Sequence, residues 1–321
     1  MKIKFWGVRG SIPSNLSTEK WAAHFEALMQ DFFREGHRSP DQIASFIKKK
    51  TLPKIGGFGT ATTCVQVSDK DQFIIIDGGS GIKNLSDQLA ADGKLKTQNE
   101  YHILMSHFHF DHTLGLPFFT PHFLKGKKIH YYSVQTETEK IIRNLFMKPS
   151  FPIAFENLQA DIQFHTIRPY EKQLIQGFEV SAFKLDHPDP CYGFRVEKNN
   201  RVYAHAIDHE SVRLTAQELG LDAQLFQNAD LLYFDAQYEE TEMENKKGWG
   251  HGTCDRGFQV VGHFNVQQIL FAHHDPSSDL QTLCKHKKNA EIIQQSLYEK
   301  LNSNPKFKWD FAYEGQEVEL K

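Results

Sequence analysis

Apolar and polar positions along this chain alternate in short runs, broken by stretches where the apolar residues return at helical spacing. Residues 2 to 8 alternate weakly and predict a first strand. Trp21, Phe25, Leu28, Met29, Phe32 and Phe33 then recur on one helical face. Ser39-Pro40-Asp41 supplies an N-cap with proline at the first helical position, and Ile43, Phe46 and Ile47 form a second apolar face. This pattern predicts a helical hairpin inserted after the opening strand, within about 15–55. Strands are predicted over 63–67 and 73–76. Gly78-Gly79-Ser80-Gly81 turns into a helix over 82–91. Ile103-Leu104-Met105 closes another strand, and a helix is expected to start within His112 to Leu116. Further strands are predicted at 128–133, 162–166, 178–185, 192–197, 201–207, 230–235, 267–272, 308–312 and 317–320. Helices are predicted at 135–146, 214–219, 255–263 and 289–302. Strands in two groups with helices outside them predict two sheets packed face to face.

Composition narrows the picture. The 321 residues, 40% of them hydrophobic and 26 of them Phe, suffice for one substantial core. Cys64, Cys191, Cys254 and Cys284 are dispersed, which predicts free thiols and a reducing, cytoplasmic setting. No stretch approaches the roughly 20 apolar residues of a membrane helix, and no signal-peptide core precedes Gly7 and Arg9. The net charge of −3 argues against an extended nucleic-acid surface. The basic runs Lys48-Lys49-Lys50 and Lys125-Gly126-Lys127-Lys128 are expected to be solvated helix ends or turns.

The chemistry is concentrated in Ser106-His107-Phe108-His109-Phe110-Asp111-His112. Neutral imidazole is the commonest ligand for a catalytic transition metal. In an extended segment His107, His109 and Asp111 face one side, and the following turn swings His112 round. One loop can thus feed two adjacent ions. There is no phosphate-loop sequence, no Gly-x-Ser-x-Gly elbow and no Cys/His arrangement for thiol catalysis.

The run His107-x-His109-x-Asp111-His112 resembles the signature of the metallo-β-lactamase superfamily of metal-dependent hydrolases. Ile74-Ile75-Ile76-Asp77-Gly78-Gly79, Leu185-Asp186-His187-Pro188, Tyr203-Ala204-His205-Ala206-Ile207-Asp208 and Leu270-Phe271-Ala272-His273-His274-Asp275-Pro276 resemble its further motifs in the same order. Phe5-Trp6-Gly7-Val8-Arg9-Gly10-Ser11-Ile12-Pro13 resembles the opening of a bacterial branch related to ribonuclease Z and the phosphodiesterases near it. The resemblance implies an α/β (α+β) chain folded as an αββα four-layer sandwich of two mixed β-sheets. It implies a single domain over 1–321, with the segment 15–55 longer than in the relatives compared. That segment is either a packing or dimerisation element or a lid.

By the same resemblance His107, His109 and His187 hold a first metal, Asp111, His112 and His273 a second, and Asp208 bridges them. The ions are two divalent metals, zinc first, with manganese or iron as alternatives. Only one of His273 and His274 is expected to point inward, and His273 is preferred. Asp77 either orients a ligand histidine or caps a turn, and His205 and His209 are expected to be bystanders. Gly248-Trp249-Gly250-His251-Gly252-Thr253 resembles a Gly-His-Ser-Thr stretch whose histidine protonates the leaving oxygen; His251 takes that role here, with Gly252 departing from the motif. Asp111 is expected both to ligate and to orient the attacking water.

The function implied is a phosphodiesterase acting through a metal-bound hydroxide on a small-molecule or nucleotide-like substrate rather than tRNA. No membrane partner is expected, and a homodimer is left open. Two alternatives stand beside it: a carboxylic ester, thioester or lactone hydrolase of the same fold, and a non-catalytic metal-binding sensor or interaction protein. A diiron centre reducing oxygen or NO is disfavoured by His109.

Overall fold

Two sheets of seven strands stack face to face in the computed structural model, which describes residues 1–15, 17–301 and 307–321. In chain order the strands are β1 (Lys2–Gly7), β2 (Cys64–Asp69), β3 (Gln72–Ile76), β4 (Glu100–Leu104), β5 (Lys128–Ser133), β6 (Asp161–Thr166), β7 (Gln173–Ile175) and β8 (Phe178–Lys184). They continue as β9 (Tyr192–Lys198), β10 (Arg201–Ala206), β11 (Leu231–Asp235), β12 (Gln268–Ala272), β13 (Lys308–Phe311) and β14 (Glu317–Glu319). One sheet has the order β14-β1-β2-β3-β4-β5-β6 and the other β13-β12-β11-β10-β9-β8-β7. Each is mixed. Strands β3 to β6 run parallel in the first, and β10 to β13 run parallel in the second.

Side-chain alternation explains the layers. Ile74 and Ile76 of β3 face the inter-sheet core with Leu104, Val180, Phe194, Tyr203, Tyr233 and Leu270. Their neighbour Ile75 faces outward, with Ile103 and Tyr131, under Ile82, Leu85 and Leu89 of the helix Gly81–Ala91. On the other side Leu232, Phe234, Ile269 and Phe271 lie under Phe258, Val261 and Phe264 of the helix Cys254–Phe264. Strands covered on both faces read as continuous apolar runs, so the arrangement is a helix–sheet–sheet–helix sandwich.

Several boundaries differ from expectation, each for a local reason. The helix in the histidine loop is one turn, Phe110–Thr113. Gly78 N–H donates to the His112 carbonyl and Gly115 N–H to the Gly78 carbonyl, which draws the chain onto the loop after β3. The late helix runs Leu280–Leu301 and begins well before residue 289, because Asp279 caps it by accepting from the Thr282 N–H at 2.9 Å; Asn302 lies outside the described residues. Strand β7 had no clear pattern in its three residues. The inserted segment, whose Leu16 lies outside the described residues, forms helices Thr18–Arg34, Ile43–Lys49 and Leu52–Gly56. Phe32 and Phe46 meet edge-to-face inside it, while Phe25, Met29 and Phe33 are exposed.

His122 is fully buried against Phe119, Tyr131 and Phe146, with Nε2 2.8 Å from the Tyr131 hydroxyl. Burial pushes its pKa down to about 3. The unfolded chain therefore takes up a proton below pH about 6.5 that the folded chain refuses until about pH 3. His122 is expected to lower stability as pH falls through that window, by roughly 1 kcal/mol per pH unit. Urea unfolding of wild type and His122→Asn between pH 4 and 7 checks this; equal pH slopes in the two proteins would contradict it.

Candidate metal centre

The parallel halves of both sheets point their C-terminal strand ends to one edge of the sandwich. Ligand sites in open α/β sheets form at such ends. The segment after β3 brings Asp77, and that after β4 brings His107, His109, Asp111 and His112. Asp208 follows β10, Asp235 ends β11 and His273 follows β12. His187 comes from the turn between β8 and β9, and His251 from the loop before the helix Cys254–Phe264. Asp77, Asp208 and His273 adopt left-handed backbone, with φ of 60°, 60° and 61°. Each such non-glycine residue costs on the order of 1–3 kcal/mol. The reversal at three strand ends turns their side chains into one pocket.

Donor atoms of His107, His109, His187 and Asp208 lie within 4.8 Å of one another, and so do those of Asp111, His112, Asp208 and His273. Asp208 belongs to both groups. The rings of His107, His109 and His187 form a triangle with centroids 4.5, 4.8 and 4.9 Å apart. His273 Nε2 stands 3.0 Å from Asp111 Oδ2 and 3.3 Å from Asp208 Oδ2. His274 turns the other way: its Nε2 meets the Ala312 carbonyl at 2.9 Å, and its ring packs on Phe58 and Phe311.

A surrounding set of groups fixes these rings. Asp77 Oδ2 lies 2.9 Å from His112 Nδ1, and its Oδ1 accepts from the Ser106 N–H at 2.8 Å. It therefore both orients a histidine and ties the loop backbone. His187 Nδ1 lies 2.9 Å from the Asp189 carbonyl. Asp235 Oδ2 lies 3.0 Å from His251 Nδ1 and 3.3 Å from His273 Nδ1. Asp111 Oδ2 accepts from the Ser11 N–H at 2.8 Å. His205, expected to be uninvolved, sits beneath the pocket with Nε2 3.7 Å from Asp77 Oδ2. His209 is turned away and accepts from the Asp186 N–H.

Sequence reasoning missed two contributors. Asp235 gave no local signal, because its role depends on β10, β11 and β12 lying side by side. Arg9, nearly fully buried, donates to the carbonyls of Gly59, Asp275 and Ser278 at 2.8–2.9 Å and so clamps the opening loop beside His273. Burial lowers its pKa to about 10, so it keeps its charge at neutral pH.

Electrostatically the pocket is crowded with negative charge. Asp77, Asp111, Asp208 and Asp235 are all buried, and among the described residues their ion-pair partners are histidines. Burial would raise the Asp208 pKa, yet His273, His112 and His107 hold it well below the usual carboxylate range. The same carboxylates hold His112 and His273 well above the ordinary imidazole value against the opposing effect of burial. Meanwhile His107 Nε2, His112 Nε2, His187 Nε2 and Asp208 Oδ2 are buried with no hydrogen-bond partner. His112 Nε2 and Asp208 Oδ2 are 2.7 Å apart but out of hydrogen-bonding alignment. Buried polar atoms left unpaired are costly. Unpaired lone pairs gathered on either side of Asp208, inside a shell of buried carboxylates, suit divalent cations.

The family model described as beta-lactamase superfamily domain matches residues 74–274. Ribonuclease Z of Staphylococcus carnosus is 25% identical over 157 residues, 46% of this chain and about half (48%) of that protein. Ribonuclease Z of Archaeoglobus fulgidus is 21% identical over 271 residues, 69% of this chain and 87% of that protein. Among solved structures, a diphosphatase of the PhnP family superposes with a TM-score of 0.60 at 14% identity, covering 100% of this chain and 98% of that one. The short form of human tRNase Z superposes with a TM-score of 0.56 at 15% identity, covering 100% of both chains. These relatives overturn the expectation that an extended nucleic-acid surface is absent. A net charge of −3 sums over the whole surface and is blind to where charges lie, so it excluded nothing. The match covers both strand sets that build the pocket and every residue from Asp77 to His273: this chain belongs to the beta-lactamase superfamily.

Proposed function

We propose that this protein is a metal-dependent phosphodiesterase acting on ribonucleotide phosphodiesters, RNA included. The observation that carries the proposal is Asp208, one carboxylate common to the cluster of His107, His109 and His187 and to that of Asp111, His112 and His273. His107, His109 and His187 would hold one divalent ion, Asp111, His112 and His273 the other, with Asp208 between them; zinc is the assignment we favour. Such a pair supplies a nucleophile at neutral pH, by lowering the pKa of water to about 7, and neutralises charge on phosphoryl oxygens. The ribonuclease Z relatives support the phosphodiester class over carboxylic esters, thioesters or lactones.

The chain's own residues supply orientation and proton transfer. Asp77 and the Asp189 carbonyl engage Nδ1 of His112 and His187, which leaves each Nε2 for the pocket. With Asp111 Oδ2 tied to Ser11, Oδ1 remains to orient the attacking water. Asp235 engages His251 Nδ1 and leaves Nε2 to protonate the leaving oxygen. Gly252, where the resembled motif has serine, follows from close packing. A Cβ there would sit 2.7 Å from the His209 carbonyl oxygen and 2.8 Å from that of Asp235. The glycine therefore lets the His251 loop reach the end of β11 and does not count against His251. Phe110 and Trp249 are exposed, one within the histidine loop and the other two residues before His251. Both are available for base stacking, worth roughly 1–3 kcal/mol per base.

Metal analysis of purified protein, with hydrolysis of bis-p-nitrophenyl phosphate and of a short RNA before and after chelation, tests the proposal. Activity is expected to vanish with chelator and return with zinc; metal-free activity, or activity on lactones alone, sinks it. His251→Ala should lower kcat on RNA by about 10²–10⁴. The effect should be much smaller on bis-p-nitrophenyl phosphate, whose leaving group departs without protonation. Equal losses on both substrates would remove His251 from the acid role. Asp77→Asn should weaken metal affinity about 10–100-fold, measured by calorimetric titration of the chelated protein; unchanged affinity would reduce Asp77 to a turn residue.

A further inference from the structure

The loop that carries His251 also holds an aromatic ring and a cation beside it. Gly248 N–H donates to Glu210 Oε2 at 2.9 Å, and Trp249 N–H to the Lys246 carbonyl at 3.1 Å. Gly250 adopts left-handed backbone against His187, where a Cβ would come 2.3 Å from its Cδ2. With His251 Nδ1 engaged by Asp235, the segment 248–251 is held at both ends, and Trp249 stands 56% exposed between them. Lys246 Nζ lies over two rings, 4.1 Å from the centroid of Tyr238 and 4.9 Å from that of Trp249. Tyr238 is buried, and its ring meets the His251 ring edge-to-face at 5.6 Å. Tyr238 touches both, so the cation stands one aromatic ring away from the imidazole. Among the described residues no carboxylate pairs with Lys246. Glu240 is taken up by Thr253 and Arg256, and Glu242 accepts from the Glu239 N–H. Lys247, exposed, adds a second positive charge next to Lys246.

We propose that Trp249 and Lys246 form a subsite for the nucleoside that carries the leaving oxygen and for the phosphate on its far side. The subsite rests on the reading of His251 as the acid of a ribonucleotide phosphodiesterase. A group that protonates the leaving oxygen stands on the leaving side of the scissile phosphate. The departing nucleoside therefore lies against the His251 loop. Lys246 covers one face of the Trp249 indole, and the exposed face is left for the base. A lysine laid across two rings keeps its charge and has given up part of its rotamer freedom before a ligand arrives. Stacking rings beside cations grip single strands without reading their sequence. The subsite thus selects oligonucleotides over cyclic nucleotides and simple diesters, which carry no second phosphate for Lys246.

Calorimetric titration of the zinc-loaded protein with uridine 3′-monophosphate, uridine 5′-monophosphate and uridine 3′,5′-bisphosphate reads the subsite without turnover, because none of the three is a diester. Wild type is expected to bind the bisphosphate about tenfold more tightly than either monophosphate. Lys246→Gln should lose most of that advantage, and its plot of log Kd against log salt for the bisphosphate should be shallower by about 0.7. Trp249→Ala should weaken all three nucleotides about tenfold while inorganic phosphate binds as in wild type, which also shows that the variant is folded. This pattern in a protein that hydrolyses no diester would support the subsite and sink the proposed activity alone. Equal wild-type affinity for mono- and bisphosphates, or an advantage kept in full by Lys246→Gln, overturns the subsite.

Discussion

Four carboxylates buried at one edge of a sandwich are the constraint around which this structure is organised. Asp77, Asp111, Asp208 and Asp235 come from two sheets and four segments, and among the described residues their ion-pair partners are histidines. Burying one unpaired charge is expensive, and burying four is tolerable only with cations among them. Histidine is the side chain able to act in two ways here. Beside the carboxylates its protonated form is favoured, the direction in which Asp208 and its neighbours push His112 and His273. It becomes a neutral ligand when a metal replaces the proton. The density of imidazole in the pocket and the density of carboxylate are thus one fact.

The backbone carries part of the cost. Three strands that end at the pocket finish in left-handed residues, none of them glycine. At Asp77, Asp208 and His273 a side chain is required as well as the turn, so glycine cannot relieve the strain. Packing on both sides holds the turns in place. The last four residues of β3, β10 and β12 are buried, with helices or the other sheet on either face, which leaves these ends little freedom to relax. Strain of this kind persists where surrounding structure over-determines it.

What the sequence makes legible follows from how local each signal is. The loop from His107 to His112 is contiguous, its alternation is visible by inspection, and its residues meet as expected around Asp208. The strands were legible because β3, β11 and β12 carry runs of four apolar residues, at 73–76, 231–234 and 269–272. The one-turn helix at Phe110–Thr113 was misjudged because its end depends on hydrogen bonds to Gly78, far away in sequence. Asp235 and Arg9 looked ordinary for the same reason: the groups they hold arrive from other strands. The choice between His273 and His274 needed the strand's direction of exit, which the left-handed turn at His273 sets. Charge misled, because a total taken over the whole chain carries no information about one face.

The two sheets do not contribute alike, and this bears on how the protein is held together. The first sheet supplies the compact loop of His107, His109, Asp111 and His112 with Asp77 beneath it. The second supplies single residues, His187, Asp208, His251 and His273, each from a different connection. Any cation shared across Asp208 therefore bonds one sheet to the other at the open edge, where apolar packing gives way to water. A ligand that binds only the folded state adds its binding free energy to stability. Loss of metal should then loosen the edge first, where the strained strand ends and like charges sit, while the inter-sheet core around Phe194, Tyr203, Tyr233 and Leu270 stays packed. Catalytic readiness and closure of the sandwich are on this account a single equilibrium, set by whether Asp208 faces cations or other carboxylates.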